Sequence, residues 1–315
     1  MAQTELLEVP IRKPFIMANT EDVSLHDLQH KHIIPVYAKD NEPLISHYDF
    51  IKGVYEVAGL IYGYEDVTDP LARVSHPIKG RAPEARNKPA IDLLETEKTL
   101  YYERMMFLIE IPAYSEDIGG NKLSLTVGGV KAYNLDNLYS KKGTLEHFKV
   151  FVGYKNSVCT NLCVSTDGLL TDLKVASLEE LMNKVHEMLT QFNAMNYLDG
   201  MRSWVDYELS DKQFAQLIGR CRLYQYLGLQ QKQEIPPLQF GDQQINAICK
   251  DYYKDKSFCR SDNGTINLWK LYNLFTGANK SSYIDGFLER AANAGEFVSG
   301  LKQAMDGKAN SWFLQ

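Results

Sequence analysis

Cys159 and Cys163 stand four positions apart in SVCTNLCVS, a spacing that raises three chemistries: metal ligation, redox pairing and nucleophilic attack. The β-branched residues around them favour extended backbone. In a strand the two thiols share one face about 13 Å apart, too far for a disulfide or a common zinc ion. No second cysteine pair completes a zinc set, so both are expected as small packed side chains. Asn161 falls between them on the same expected face, and its amide needs a partner.

The strongest binding candidate is RVSHPIKGRAPEARNK, residues 73–88, where Arg73, Lys79, Arg81, Arg86 and Lys88 face only Glu84, a local excess of four positive charges beside His76. Three prolines and Gly80 predict an ordered or semi-ordered loop. There the forks of Arg81 and Arg86 would take phosphate oxygens, with Lys79 and Lys88 as point charges. Tyr101 and Tyr102 follow closely enough to stack on unpaired bases.

Weaker candidates surround it. HDLQHKH aligns His26 and His30 on a helix, with His32 beyond, but no carboxylate motif completes a metal site and HExxH is absent. Lys280 and Ser281 resemble the end of a nucleotide-binding loop, yet the two glycine places hold Asn279 and Leu274. What survives is an anion site at a helix start capped by Ser282 and Asp285, with Lys280 beside it. Glu95, Glu97, Glu103 and Glu110 would supply carboxylates to a magnesium-dependent nuclease, at spacings that are not diagnostic. There is no GxSxG elbow.

Composition bounds these options. The 315 residues are 44% hydrophobic and 23% charged, with 19 Tyr and 13 Phe, which describes a folded chain with a substantial core. A net charge of -6 supplies no global attraction for polyphosphate, so nucleic-acid binding would depend on a local patch. The opening MAQTELLEVPIRKP does not read as a secretory signal, no apolar run approaches bilayer length, and five irregularly spaced cysteines suit a reducing compartment, so a cytoplasmic address is expected.

The elements that must position these residues change period near the middle. HIIPVYA and PLISHYDFI predict a hairpin around KDNE, leading into a helix through VYEVAGLIYG, and AIDLLETEKTL predicts another helix. YYERMMFLIEIPAY, KLSLTVGGVKAYN, HFKVFVGY and SVCTNLCVS predict four sequential strands, the last two joined by a tight turn at Lys155 and Asn156. SLEELMNKVHEMLTQFNAM and SDKQFAQLIGRCRLYQYL predict helices opened by Ser177/Glu180 and Ser210/Gln213. QKQEIPPLQFGD reads as a linker before further helices. The expected fold is α+β: an antiparallel sheet of four or more strands with helices on one face in residues 1–172, then a mainly helical region, 173–315, sharing the same core or standing apart.

RVSHPIKGRAPEARNKPA, EKTLYYERMMFLIEIP, LSLTVGGVKAYNLDNLY, VCTNLCVSTDG, FAQLIGRCRLYQ and LYNLFTGANKSSYIDGFLER together resemble a bacterial family found on mobile elements of Bacteroides-like bacteria, domain of unknown function family 3871. More distantly, LTVGGVKAYN, FVGYKNSVCTN and LWKLYNLFT are similar to the phage/plasmid-like protein family. The resemblance implies a role in phage or plasmid biology and supplies no catalytic residue.

These readings combine into an expected non-enzymatic, mobile-element protein without a cofactor. It would bind single-stranded nucleic acid or a nucleoprotein complex through residues 73–88. The alternatives are a protein-interaction module acting on a host factor, such as an inhibitor of a defence enzyme, and the metal-dependent nuclease. No membrane association is expected, and a homo-oligomer is compatible with all three.

Overall fold

The computed structural model describes residues 14–31, 45–75, 77–138 and 145–315, with the backbone alone at Pro83, Asn137 and Leu138. In chain order the first elements are β1 (Glu21–Val23), α1 (Leu25–His30), α2 (His47–Tyr62), β2 (Leu71–Val74), β3 (Pro77–Arg81) and β4 (Lys98–Tyr102). β5 (Arg104–Ile118), β6 (Asn121–Ala132), α3 (Tyr133–Leu138), β7 (Glu146–Asn156) and β8 (Leu162–Val175) follow. The remainder is α4 (Leu178–Gln191), α5 (Ala194–Ser203), β9 (Glu208–Leu209), α6 (Asp211–Tyr224), α7 (Leu229–Gln233), α8 (Asp242–Lys254), β10 (Ile266–Asn267), α9 (Leu268–Asn279) and α10 (Ile284–Met305).

Six strands form one antiparallel sheet in the order β1-β2-β5-β6-β7-β8, so the expected α+β class stands. The expectation of helices on a single face needs one addition. Met105, Phe107 and Ile109 of β5 turn toward α2, whose Phe50 meets Phe107 and Phe148 at ring separations of 5.0 and 4.8 Å. The alternating residues Met106 and Leu108, with Phe151 and Val164, pack on the opposite face against Ile284, Phe287, Leu288 and Ala291 of α10. The unbroken run MMFLI belongs to a strand covered on both sides, which is why it does not alternate with polar residues. Side chains from before and after residue 172, Phe107 and Val152 with Trp269, Tyr272 and Phe275, enter one apolar cluster.

Local chemistry explains the helix boundaries. Ser46 and Asp49 close a reciprocal capping box on α2, and Ser210 and Gln213 do so on α6. Ser177 caps α4 by accepting from the Glu180 amide, while the Glu180 carboxylate reaches back to the amide of Ala176. The stripe Leu181, Val185, Met188 and Leu189 buries α4, and Phe214, Leu217, Cys221 and Tyr224 bury α6.

Three local expectations are corrected. Residues 90–97 form two single 3-10 turns, and the rest of AIDLLETEKTL becomes β4, because KTLYY pairs with PIKGR. β7 continues through Lys155 and Asn156, and the chain reverses at 157–160, where Asn156 Oδ1 accepts from the Val158 amide and Thr160 takes a left-handed φ of 60°. His47–Phe50 of PLISHYDFI opens α2, while HIIPVYA and KDNE lie outside the described residues. The expected linker is fastened instead: Asn293 of α10 accepts from the Gln239 amide and donates to the Pro237 carbonyl. No helix among the described residues is long and apolar enough to cross a membrane.

Candidate anion-binding groove

The basic run is a strand more than a loop. β3 and β4 pair in register from Pro77↔Tyr102 to Arg81↔Lys98, continuing the pairing Val74↔Met105 of β2 and β5. The result is a two-stranded ribbon, closed by residues 82–97, that extends one hairpin of the sheet. Directly paired residues share a face. Lys79 with Leu100 and Arg81 with Lys98 occupy one side, and Ile78 with Tyr101 and Gly80 with Thr99 the other.

The first side borders a groove of about 840 Å³ whose lining includes Lys79, Arg81 and Lys98 from the ribbon, His30 and Lys31 from the end of α1, and Glu95. Lys79 and Lys98 are exposed and Arg81 is half-buried. The Lys98 ammonium, 2.6 Å from Glu95, holds that carboxyl below the usual carboxylate range, with a smaller contribution from Lys79. Lys31 is 2.7 Å from Asp27. Ion pairs this exposed exchange readily with solvent and do not preclude a phosphate ligand.

Several expected site residues fall elsewhere. Arg73 is only 8% exposed: it lies directly across the sheet from Asp22 and donates to Asp22 at 2.5 Å, to Thr20 Oγ1 at 3.0 Å and to the Thr20 carbonyl at 2.7 Å. Lys88 pairs with Glu97, and half-buried Arg86 offers its carbonyl to Arg81, whose guanidinium also donates to the Lys88 carbonyl. The local charge excess therefore shrinks. The return half of the ribbon brings Asp92, Glu95 and Glu97 alongside, so cations and carboxylates nearly balance over 77–102.

Tyr102 is buried in the main core, and Tyr101 lies on the ribbon face opposite the groove with its ring near Tyr133. Neither is placed to stack on a base held in the groove. His76 and His32 lie outside the described residues. Lys280 and Ser281 form no anion site. Lys280 is 9% exposed and its ammonium donates to the Cys159 carbonyl and to Thr160 Oγ1, strutting the 157–160 turn, while Ser281 donates to the Ala278 carbonyl. Ser282 donates to Asn279 and α10 starts without a side-chain cap, its Asp285 paired to Arg104 at 2.6 Å.

The carboxylates do not converge. Glu95 binds Lys98, Glu97 binds Lys88, Glu103 binds Arg104 and Glu110 binds Lys155. His26 and His30 do lie side by side, with ring centroids 4.6 Å apart and planes tilted by 51°, but among the described residues no group of three or more His, Cys, Asp or Glu could hold a metal ion. Lys98 and Lys31 carry no motif of their own. Lys98 becomes visible only through the strand alternation of KTLYY once β3 is recognised as its partner.

The cysteines are settled by burial. Cys159 sits in the turn and Cys163 on β8, and burial raises both thiol pKa values, Cys163 far more strongly. Asn161 finds the partner its amide requires, donating to the Asn273 carbonyl at 2.9 Å. Cys163 and Cys221, both fully buried, are expected to resist a thiol reagent at about pH 8 until denaturant is added. Rapid native labelling of all five cysteines would contradict that packing.

Fold and groove together define an α+β protein built on an antiparallel sheet from which a charged two-stranded ribbon continues. Over residues 5–314 the chain matches the family described as "Domain of unknown function, B. Theta Gene description (DUF3871)", and it belongs to that family. No curated protein and no solved structure matches it.

Proposed function

We propose that this chain is a non-enzymatic, cytoplasmic protein of a mobile element that binds the phosphate backbone of nucleic acid, alone or within a nucleoprotein complex, in the groove between α1 and the ribbon. The observation that carries the reading is the placement of Lys79, Arg81 and Lys98 on one ribbon face, with His30 and Lys31 beside the same groove and Glu95 as the only carboxylate among the described residues that line it. Cations so arranged recognise phosphates by charge and read no sequence, and the position of Tyr101 and Tyr102 removes base stacking from the mechanism. The mobile-element setting rests on the resemblance to phage and plasmid proteins.

Fluorescence anisotropy with labelled single-stranded DNA tests this. With three phosphates neutralised, affinity should fall roughly tenfold to twentyfold between about 50 and about 200 mM salt. Lys79→Ala with Lys98→Ala should weaken binding and lower the salt slope by roughly one to one and a half. Absence of binding at low salt, or binding indifferent to both substitutions, sinks the proposal.

One observation favours a protein partner instead. Ile91 is 92% exposed and Leu94 62% exposed in the loop that closes the ribbon, an apolar display more suited to a protein surface than to a phosphate backbone. On that reading Ile91→Asp with Leu94→Asp would abolish partner binding, while the lysine substitutions would leave it intact.

A further inference from the structure

A second concave site lies on the other side of the ribbon from the cation groove. Ile78, which shares that face with Tyr101, lines a pocket of about 280 Å³ with Glu103 and Arg104, where β4 passes into β5, and with Tyr283 and Ile284 at the start of α10. The volume is close to the lower end of small-molecule sites, roughly 300 Å³. Its walls are tied together by the chain itself. The Met17 and Ala18 amides donate to the Lys280 carbonyl at 2.8 and 3.3 Å, and Ser75 Oγ accepts from the Arg104 amide at 3.0 Å. Asn19 turns the backbone at the pocket edge with a left-handed φ of 46°, a conformation that asparagine tolerates better than most residues.

The groups that could recognise a ligand are within its reach. Tyr283 is 65% exposed, and the Glu103 and Arg104 side chains are 27% and 31% exposed. Glu103 Oε2 lies 2.6 Å from Arg104 Nη1, which sets a carboxylate beside a guanidinium fork, and Asp285 Oδ2, 2.6 Å from Arg104 Nε, steadies the fork from α10. Among the described residues that line the pocket, Glu103 is the only carboxylate and Arg104 the only cation. A neutral ligand carrying donors and acceptors side by side suits that balance better than an anion. The pairing edge of guanine has this pattern: two neighbouring N–H donors, at N1 and N2, beside the O6 acceptor. No other common base presents two neighbouring donors.

We propose that this pocket binds a guanine base. The Glu103 carboxylate accepts from N1–H and N2–H, the Arg104 guanidinium donates to O6, and the exposed Tyr283 ring stacks on the purine face. The assignment goes beyond the phosphate-binding reading, since it concerns a base edge on the opposite side of the ribbon and does not depend on the groove lysines.

Isothermal titration of the full chain with guanosine, which carries no phosphate for the groove, tests the assignment. Saturable one-to-one binding is expected. Inosine, which lacks the N2 amino group, and the Glu103→Gln variant should each bind about tenfold or more weakly, the loss of a charge-assisted hydrogen bond. Tyr283→Ala, at an exposed ring, should weaken guanosine by about fivefold or more. Lys79→Ala with Lys98→Ala should leave guanosine affinity unchanged. Displacement of guanosine by oligo(dT) carrying one guanine, and not by oligo(dT) alone, assigns the base to a nucleic acid; guanosine retained against both assigns it to a free nucleoside. Adenosine binding as tightly as guanosine, absence of saturable binding, affinity indifferent to Glu103→Gln and Tyr283→Ala, or its loss with the lysine pair would each overturn the proposal.

Discussion

Lys131→Met is expected to destabilise the protein by about 3–5 kcal/mol, the effect of breaking a buried ion pair from one side. The Lys131 side chain is entirely buried, with its ammonium 2.7 Å from Glu146 and 3.1 Å from Asp136, and it lies over the Phe148 ring at 4.0 Å. Each carboxylate does a second job. Glu146 accepts from the Ile45 amide at 3.1 Å, ahead of α2, and Asp136 accepts from the His147 amide at 2.9 Å. One ammonium thus links β6, α3, β7 and the approach to α2. Without it the two buried carboxylates lose the ammonium that they share. The variant Lys131→Met, Asp136→Asn, Glu146→Gln keeps the acceptors and removes the charges, so it should recover most of the loss. Urea denaturation checks both, and the account fails if Lys131→Met costs less than about 1 kcal/mol or the triple variant is no more stable than the single.

The second large effect is expected at Gly128 and Gly129, in the middle of β6. A Cβ at Gly128 would lie 2.2 Å from the Phe107 carbonyl oxygen and 2.7 Å from the Phe151 ring, on the α10 face. At Gly129 it would lie 2.5 Å from the Phe50 ring and 2.6 Å from the Lys149 carbonyl oxygen, on the α2 face. The pair lets an aromatic residue press directly on the strand from each side. Alanine at either position should cost about 3 kcal/mol, the upper range for overpacking, because backbone oxygens cannot swing aside. The two sites are separable by double-mutant cycles: Phe50→Leu should relieve part of the cost at Gly129 and none at Gly128, and Phe151→Leu the reverse. Equal coupling of both alanines to Phe50 would show that the faces are not independent.

The residues that were legible in advance are those governed by near neighbours. Ser177 and Ser210 announce helix starts because a cap is satisfied three residues along the same chain. The period of Phe214, Leu217, Cys221 and Tyr224 identifies a buried helical stripe, and the strand runs from 104 to 132 define a sheet. By the same local logic Cys159 and Cys163 could be recognised as packing residues and the Lys280 loop rejected as a nucleotide loop, which leaves family membership and the α+β class readable from residues alone.

Sequence could not assign the cations. Arg73 meets Asp22 across 51 positions and Lys280 meets the Cys159 carbonyl across 121, so both leave the candidate site for reasons no local window contains. Lys98 joins Arg81 only through a strand register. A side chain's charge is fixed by its identity, but its availability depends on which distant group has already neutralised it. That pairing is chosen by the packing of sheet and helices as a whole, which is why the tertiary structure alone decided which charged groups face solvent.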